Sequence, residues 1–152
     1  MVISGQHVPT VRFTLLALFV LALLLQFWVI PSAAARAAID YPEYAYLERP
    51  YVIATGVALA LFELALLAAW QVLSASTTDQ RPPRRKRWAL ILTIALASSG
   101  VVLAGTFIHA GSIARVGGPP MFLGLLASLA VVVGAVALRR TASELTVADA
   151  ED

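Results

Sequence analysis

The sequence predicts an all-α membrane protein, a four-transmembrane-helix bundle with its N and C termini cytoplasmic. Three observations predict it. First, 60% of the 152 residues are apolar and 13% are charged, against about 45–50% and 25% in soluble domains. Second, four apolar stretches are about as long as a bilayer core requires, and none contains Lys or Arg. Third, the basic residues gather on alternate loops, which sets orientation. A mean hydropathy of +0.83 is more than a soluble core of this size can hide.

The spans are taken in chain order. The first covers 13–30 and stops at Pro31. A cleavable signal peptide is a poorer reading, although Ser32 to Ala35 are small, because signal cores run to about 7–15 residues. The second span covers 51–73 and the third 88–108; the fourth covers 121–138 and stops at Arg139 and Arg140. The first and fourth are near the minimum length and should stand nearly upright. Residues 1–140 then form one transmembrane domain, and 141–152 an acidic cytoplasmic tail, frayed at its end, with Glu144, Asp149, Glu151 and Asp152.

Orientation rests on the short loops. Arg81, Arg84, Arg85, Lys86 and Arg87 lie in the basic loop 74–87, Arg12 precedes the first span, and Arg139 and Arg140 come after the fourth. These define the cytoplasmic side of a bacterial plasma membrane. Arg84, Arg85, Lys86 and Arg87 are candidate contacts for anionic lipid, each worth roughly 1 kcal/mol near a charged surface. The pI of 9.4 comes mainly from this cluster, so nucleic acid is not an expected partner.

The outer loop, 31–50, reads as a structured cap. Its Ala-rich start suits a short helix on the membrane, and Pro42 and Pro50 bracket a tyrosine-rich stretch, each restricting the residue before it. Tyr41, Glu43, Tyr46 and Arg49 are its candidate partner surface. In the third loop, Pro120 suits the first turn of the last helix.

Glu63 is the most informative residue, near the middle of the second span. An ionised carboxylate there costs at least about 2.5–3.5 kcal/mol, which favours an inward direction and the neutral form. Helical spacing puts Gly56, Ala60, Glu63, Leu67 and Trp70 on one face, predicted to turn inward. Leu61, Ala65, Ala68 and Val72 form the opposite face, predicted to meet lipid. The third span has Ala95, Ser98, Ser99, Val102, Gly105, Thr106 and His109 on one face, with Ser98 and Ser99 level with Glu63 and suited to hydrogen-bond it. Gln26 and His109, at similar outer depth, are a candidate pair. Gly124, Ser128, Val131 and Ala135 mark a close-packing face on the fourth span. The second and third spans should form the interior pair.

Several chemistries fail on counts. The chain has no cysteine, which removes disulfides, thiolate metal sites and Cys nucleophiles. It has two histidines, and His7 precedes the first span, so haem held by His109 would need a homodimer to supply the second ligand. No cofactor or metal is expected. Glu-x-x-His pairs for a di-metal bundle, a phosphate-binding loop and a nucleophile elbow are all missing.

The features from Gln26 to Leu145 resemble the bacterial family catalogued as domain of unknown function 2975. They include Gln26, Pro31, Tyr41-Pro42-Glu43, Leu47, Pro50-Tyr51, Glu63, Trp70, Leu73, His109, Gly117-Gly118-Pro119, Leu138-Arg139 and Ser143-Glu144-Leu145. The resemblance implies a small four-helix membrane protein of regulatory or sensory kind. This chain departs from the family pattern in the second loop, where Gln80 to Arg84 replace a Gly…Phe-Ser segment. The expected function is a non-enzymatic accessory, sensory or regulatory bundle, working with another membrane subunit or a homodimer partner. The alternatives are an ion- or proton-coupled transporter or channel subunit that uses Glu63, and a haem- or lipid-binding bundle with Gln26 and His109 at an outer pocket.

Overall fold

The computed structural model describes residues 8–77, 82–113 and 118–148. Helix α1 (Val8–Leu24) passes through a π-helical turn (Leu25–Val29) into α2 (Ile30–Asp40). A 3-10 segment (Pro42–Leu47) leads to α3 (Glu48–Thr77); α4 (Pro82–Ile108) ends in a second π-helical turn (His109–Ile113), and α5 (Pro119–Ala148) closes the chain. Four helical stretches are long and apolar enough to cross a membrane: Val8–Asp40, Pro42–Ala75, Arg84–Ser112 and Met121–Arg140.

The sequence explains where these elements start. Prolines open α4 and α5 and the 3-10 segment, at first-turn positions where a missing N–H costs no helical bond. Glu48 lies in the first turn of α3, where the helix dipole favours an acid. Met121 N and Phe122 N both donate to Gly118 O, at 3.0 and 3.3 Å, in the turn before α5.

Several predicted ends are corrected. The first helix does not stop at Pro31, because the π turn lets Ile30 N donate to Leu25 O and carries the helix across the proline. The predicted surface helix is thus α2, continuous with α1. The helix of the third span runs on through its π turn to Ile113, and α5 continues past Arg139 and Arg140 to Ala148, although its apolar stretch, Met121–Arg140, lies close to the predicted fourth span. Of the basic loop predicted over 74–87, residues 74–77 and 82–87 are helical, Arg84 to Arg87 among them, and 78–81 lie outside the described residues. The frayed end expected at 149–152 also lies outside them. The common reason is that apolarity marks where a helix can meet lipid, whereas hydrogen bonding decides where it ends. At about 1.5 Å per residue, a helix of 30 residues such as α3 exceeds the roughly 30 Å hydrocarbon core. The helices that hold the first and fourth spans therefore outrun the apolar cores predicted at 13–30 and 121–138.

The helices pack as neighbours in chain order. Helix α3 lies against α1 and α4, and α4 against α3 and α5. The flanking helices are the less covered: 6% of the apolar window is buried in the first and 11% in the fourth, against 22% in the middle two. Phe13, Phe27, Trp28 and Phe122 all stand exposed, more apolar surface than a soluble monomer carries.

The core is built from small residues. Ala58, Ala65 and Ala68 are buried on α3, Ala95, Ser99 and Ala104 on α4, and Ser128 and Ala135 on α5. The expected faces of α3 are therefore corrected: Ala65 and Ala68 are buried, while Ala60 and Leu67 are exposed. Lipid is as apolar as leucine, so apolarity does not choose the packed face; close fit of small side chains does. The α4 face is corrected in part, since Ala95 and Ser99 are buried but Gly105 and His109 are exposed. On α5 the predicted face is the one that packs, with Ser128 Oγ donating to Gly124 O at 2.7 Å.

Gly100 sets the α4–α5 distance. A Cβ there would lie 2.7 Å from Val132 Cγ2 and 2.9 Å from the Ser128 carbonyl oxygen. A Cβ on Gly124 would run into the Phe107 ring. Gly100→Leu should therefore lower stability by about 1–3 kcal/mol, the usual range for overpacking, read as an earlier midpoint in a denaturing-detergent titration. An unchanged midpoint would mean α4 and α5 are not in contact there.

Candidate functional site

The polar groups expected between the second and third spans are sorted by the structure onto two different seams. On the α3–α4 seam, Ser99 is buried and its Oγ donates to the Ala58 carbonyl oxygen of α3 at 2.8 Å. A hydroxyl has one proton to give, so Ser99 is committed to the backbone and not to Glu63. Ser98 is half-buried and forms no hydrogen bond with Glu63.

Glu63 lies elsewhere on α3. At 100° per residue it stands about 140° round the helix from Ala58. It shares its side of α3 with Trp70, whose ring meets α1: the Arg12 guanidinium carbon lies 5.7 Å from the Trp70 ring centroid. Glu63 therefore belongs to the α1–α3 side. Its Oε1 is enclosed and has no hydrogen-bond partner, and the same holds for Gln26 Oε1 and Arg12 Nε. The less exposed residues of α1, among them Arg12, Leu15, Phe19 and Ala22, form one stripe at three- and four-residue spacing that Gln26 in the π turn continues. The sequence reading missed the Arg12–Trp70 contact. The signal was present, because a cation and an indole stood at the same predicted end of adjacent spans.

The expected Gln26–His109 pair is corrected. His109 Nδ1 hydrogen-bonds the Tyr51 hydroxyl at 3.0 Å, with the rings edge to face at 5.9 Å and 89°. Tyr51 is near the start of α3, so this contact clasps α3 to the end of α4. Gln26 and His109 do share one feature. Each sits in a π-helical turn, a distortion that occurs often at functional sites.

The cap is ordered. Tyr41 N donates to Ala37 O at 2.9 Å and Tyr44 N to Tyr41 O at 3.0 Å, and Leu47 is buried beneath it. Tyr41, Glu43, Tyr46 and Arg49 all project outward. At the opposite end, Arg84, Arg85, Lys86 and Arg87 are all exposed near the start of α4. They crowd the positive end of the helix dipole, which disfavours cations, so they do not serve the stability of α4 itself.

An open apolar cavity of about 460 Å³ between α4 and α5 is lined by Leu96, Val131, Gly134, Ala137 and Leu138. It holds no charged group and suits an acyl chain. Among the described residues no three His, Asp or Glu side chains converge as a metal site would need. No protein-family model, curated protein or solved structure matches the chain.

The clasp gives a direct expectation. Tyr51→Phe should loosen the end of α4 by about 0.5 kcal/mol, the scale of interhelical hydrogen bonds in membrane proteins. Amide hydrogen exchange across His109–Ile113 should then quicken. The same exchange in wild type and variant would show that the hydrogen bond holds nothing.

Proposed function

We propose that this protein is a non-enzymatic, multi-pass protein of the bacterial plasma membrane that acts as an accessory, sensory or regulatory bundle. The N and C termini and the basic start of α4 lie on the cytoplasmic side, and the cap lies outside. The observation that supports this most is the cap: an ordered segment, anchored by Leu47, that presents Tyr41, Glu43, Tyr46 and Arg49 to its surroundings. Exposed aromatic and Arg side chains on a rigid support are what partner surfaces favour. The basic cluster suits anionic lipid.

The chain lacks cysteine, so any cysteine introduced is unique. Glu43→Cys should react with a membrane-impermeant maleimide on intact cells, and Arg85→Cys only after lysis. The reverse pattern would overturn the orientation. A photo-crosslinker at Tyr46 should then capture a specific membrane partner or a second copy; a chain that stays alone in native membranes sinks the accessory reading.

A second reading has its own observation. The unpartnered Oε1 of Glu63 favours an ion- or proton-coupled carrier or channel subunit. Glu63→Gln should then abolish flux in proteoliposomes while leaving assembly intact. Normal flux in the variant would end that reading.

A further inference from the structure

The three enclosed polar atoms without partners, Arg12 Nε, Gln26 Oε1 and Glu63 Oε1, form a series. The Arg12–Trp70 contact fixes the register of the antiparallel α1–α3 pair. Seven residues along either helix is nearly two turns, a rise of about 10.5 Å. Stepping up from Arg12 and Trp70 therefore sets Phe19 level with Glu63, then Gln26 level with Gly56. Helix α3 does pack against the π turn that holds Gln26.

The groups along this line differ in kind. Around Gln26 and Glu63 they are oxygens that accept hydrogen bonds. Pro31, which has no N–H, also leaves one carbonyl of the π turn without its helical donor. A Cβ on Gly56 would meet nothing within 4 Å, so Gly56 does not close off its own side of α3. Below Glu63 the line ends on a guanidinium against an indole. The two enclosed acceptor oxygens without partners, Gln26 Oε1 and Glu63 Oε1, can be satisfied by water, hydronium or another small cation, and a fixed positive charge at one end repels a cation from that end.

We propose that the α1–α3 seam is a proton-binding site, reached by water from the cap end past Gln26 and Gly56, with Glu63 as the acceptor and Arg12 over Trp70 as the closed end. A hydronium in the seam gives its proton to the Glu63 carboxylate and is left as water; release is the reverse. The charged groups around Glu63 fit this direction. Helix α1 brings Arg12, and α4 has no charged side chain between Arg87 and His109. In the cap segment Arg36, Asp40, Glu43 and Arg49 are exposed and Glu48 is half-buried. The inference rests on the membrane placement proposed above, and the cysteine labelling tests that placement separately.

The test is infrared spectroscopy of the full chain in lipid nanodiscs. A protonated-carboxyl C=O band should titrate with pH, shift promptly in D2O and vanish in Glu63→Gln. Gly56→Leu, which puts a side chain on that side of α3, should slow the D2O shift by about tenfold or more, as expected when water reaches a group only through local opening. Gln26→Leu should slow it too, which keeps the test decisive if Gly56→Leu fails to fold. Arg12→Gln should leave the band in place. A band indifferent to pH or D2O, or exchange unchanged in both seam variants, overturns the proposal. A titration midpoint that tracks sodium concentration overturns it in favour of an alkali-cation site.

Discussion

Close backbone approach at α4 is the constraint on which the arrangement depends. Ser99 reaches across to the Ala58 carbonyl on one side, and on the other Gly100 leaves no room for a Cβ beneath Val132 and Ser128. In a bilayer no hydrophobic force draws helices together, so dispersion and interhelical hydrogen bonds must. Both weaken steeply with distance, which is why alanine, serine and glycine occupy these contacts. With α4 held between α3 and α5, α1 packs chiefly against α3 among the described long helices.

That position gives α1 its character. It packs through larger side chains such as Leu15 and Phe19, and Arg12 and Gln26 stand on the same stripe. A helix held this way can carry polar groups that its neighbour does not satisfy. The packing that gives α3 and α4 their close fit would exclude them. The two seams differ accordingly: one is closed by small side chains and a hydrogen bond to backbone, and the other encloses polar atoms without partners.

The two π turns link this difference to the cap. Both lie toward the cap end, at Leu25–Val29 and His109–Ile113. Each inserts an extra residue into its turn and rotates the residues beyond it, so periodicity carried along the straight helix no longer predicts which way a side chain faces. His109 is thereby turned to Tyr51, and α1 is carried past Pro31 into α2. The cap is held at both ends, by its continuity with α1 through this turn and by the short 3-10 segment over Leu47.

Much of this was legible in the residues alone. Four long apolar segments, the prolines that open helices, the ordered tyrosine-rich cap and the packing face of Gly124, Ser128 and Ala135 come from composition, backbone chemistry and spacing. Those signals are local, and local physics settles them. The tertiary structure decided which side of α3 turns inward, that Ser99 serves the Ala58 carbonyl, that His109 meets Tyr51, and that Arg12 meets Trp70. The reason is that water sorts polar from apolar faces and so writes the fold into the hydrophobic pattern, while an apolar solvent does not. In such surroundings steric fit chooses the packed face, and fit exists only between helices already set side by side.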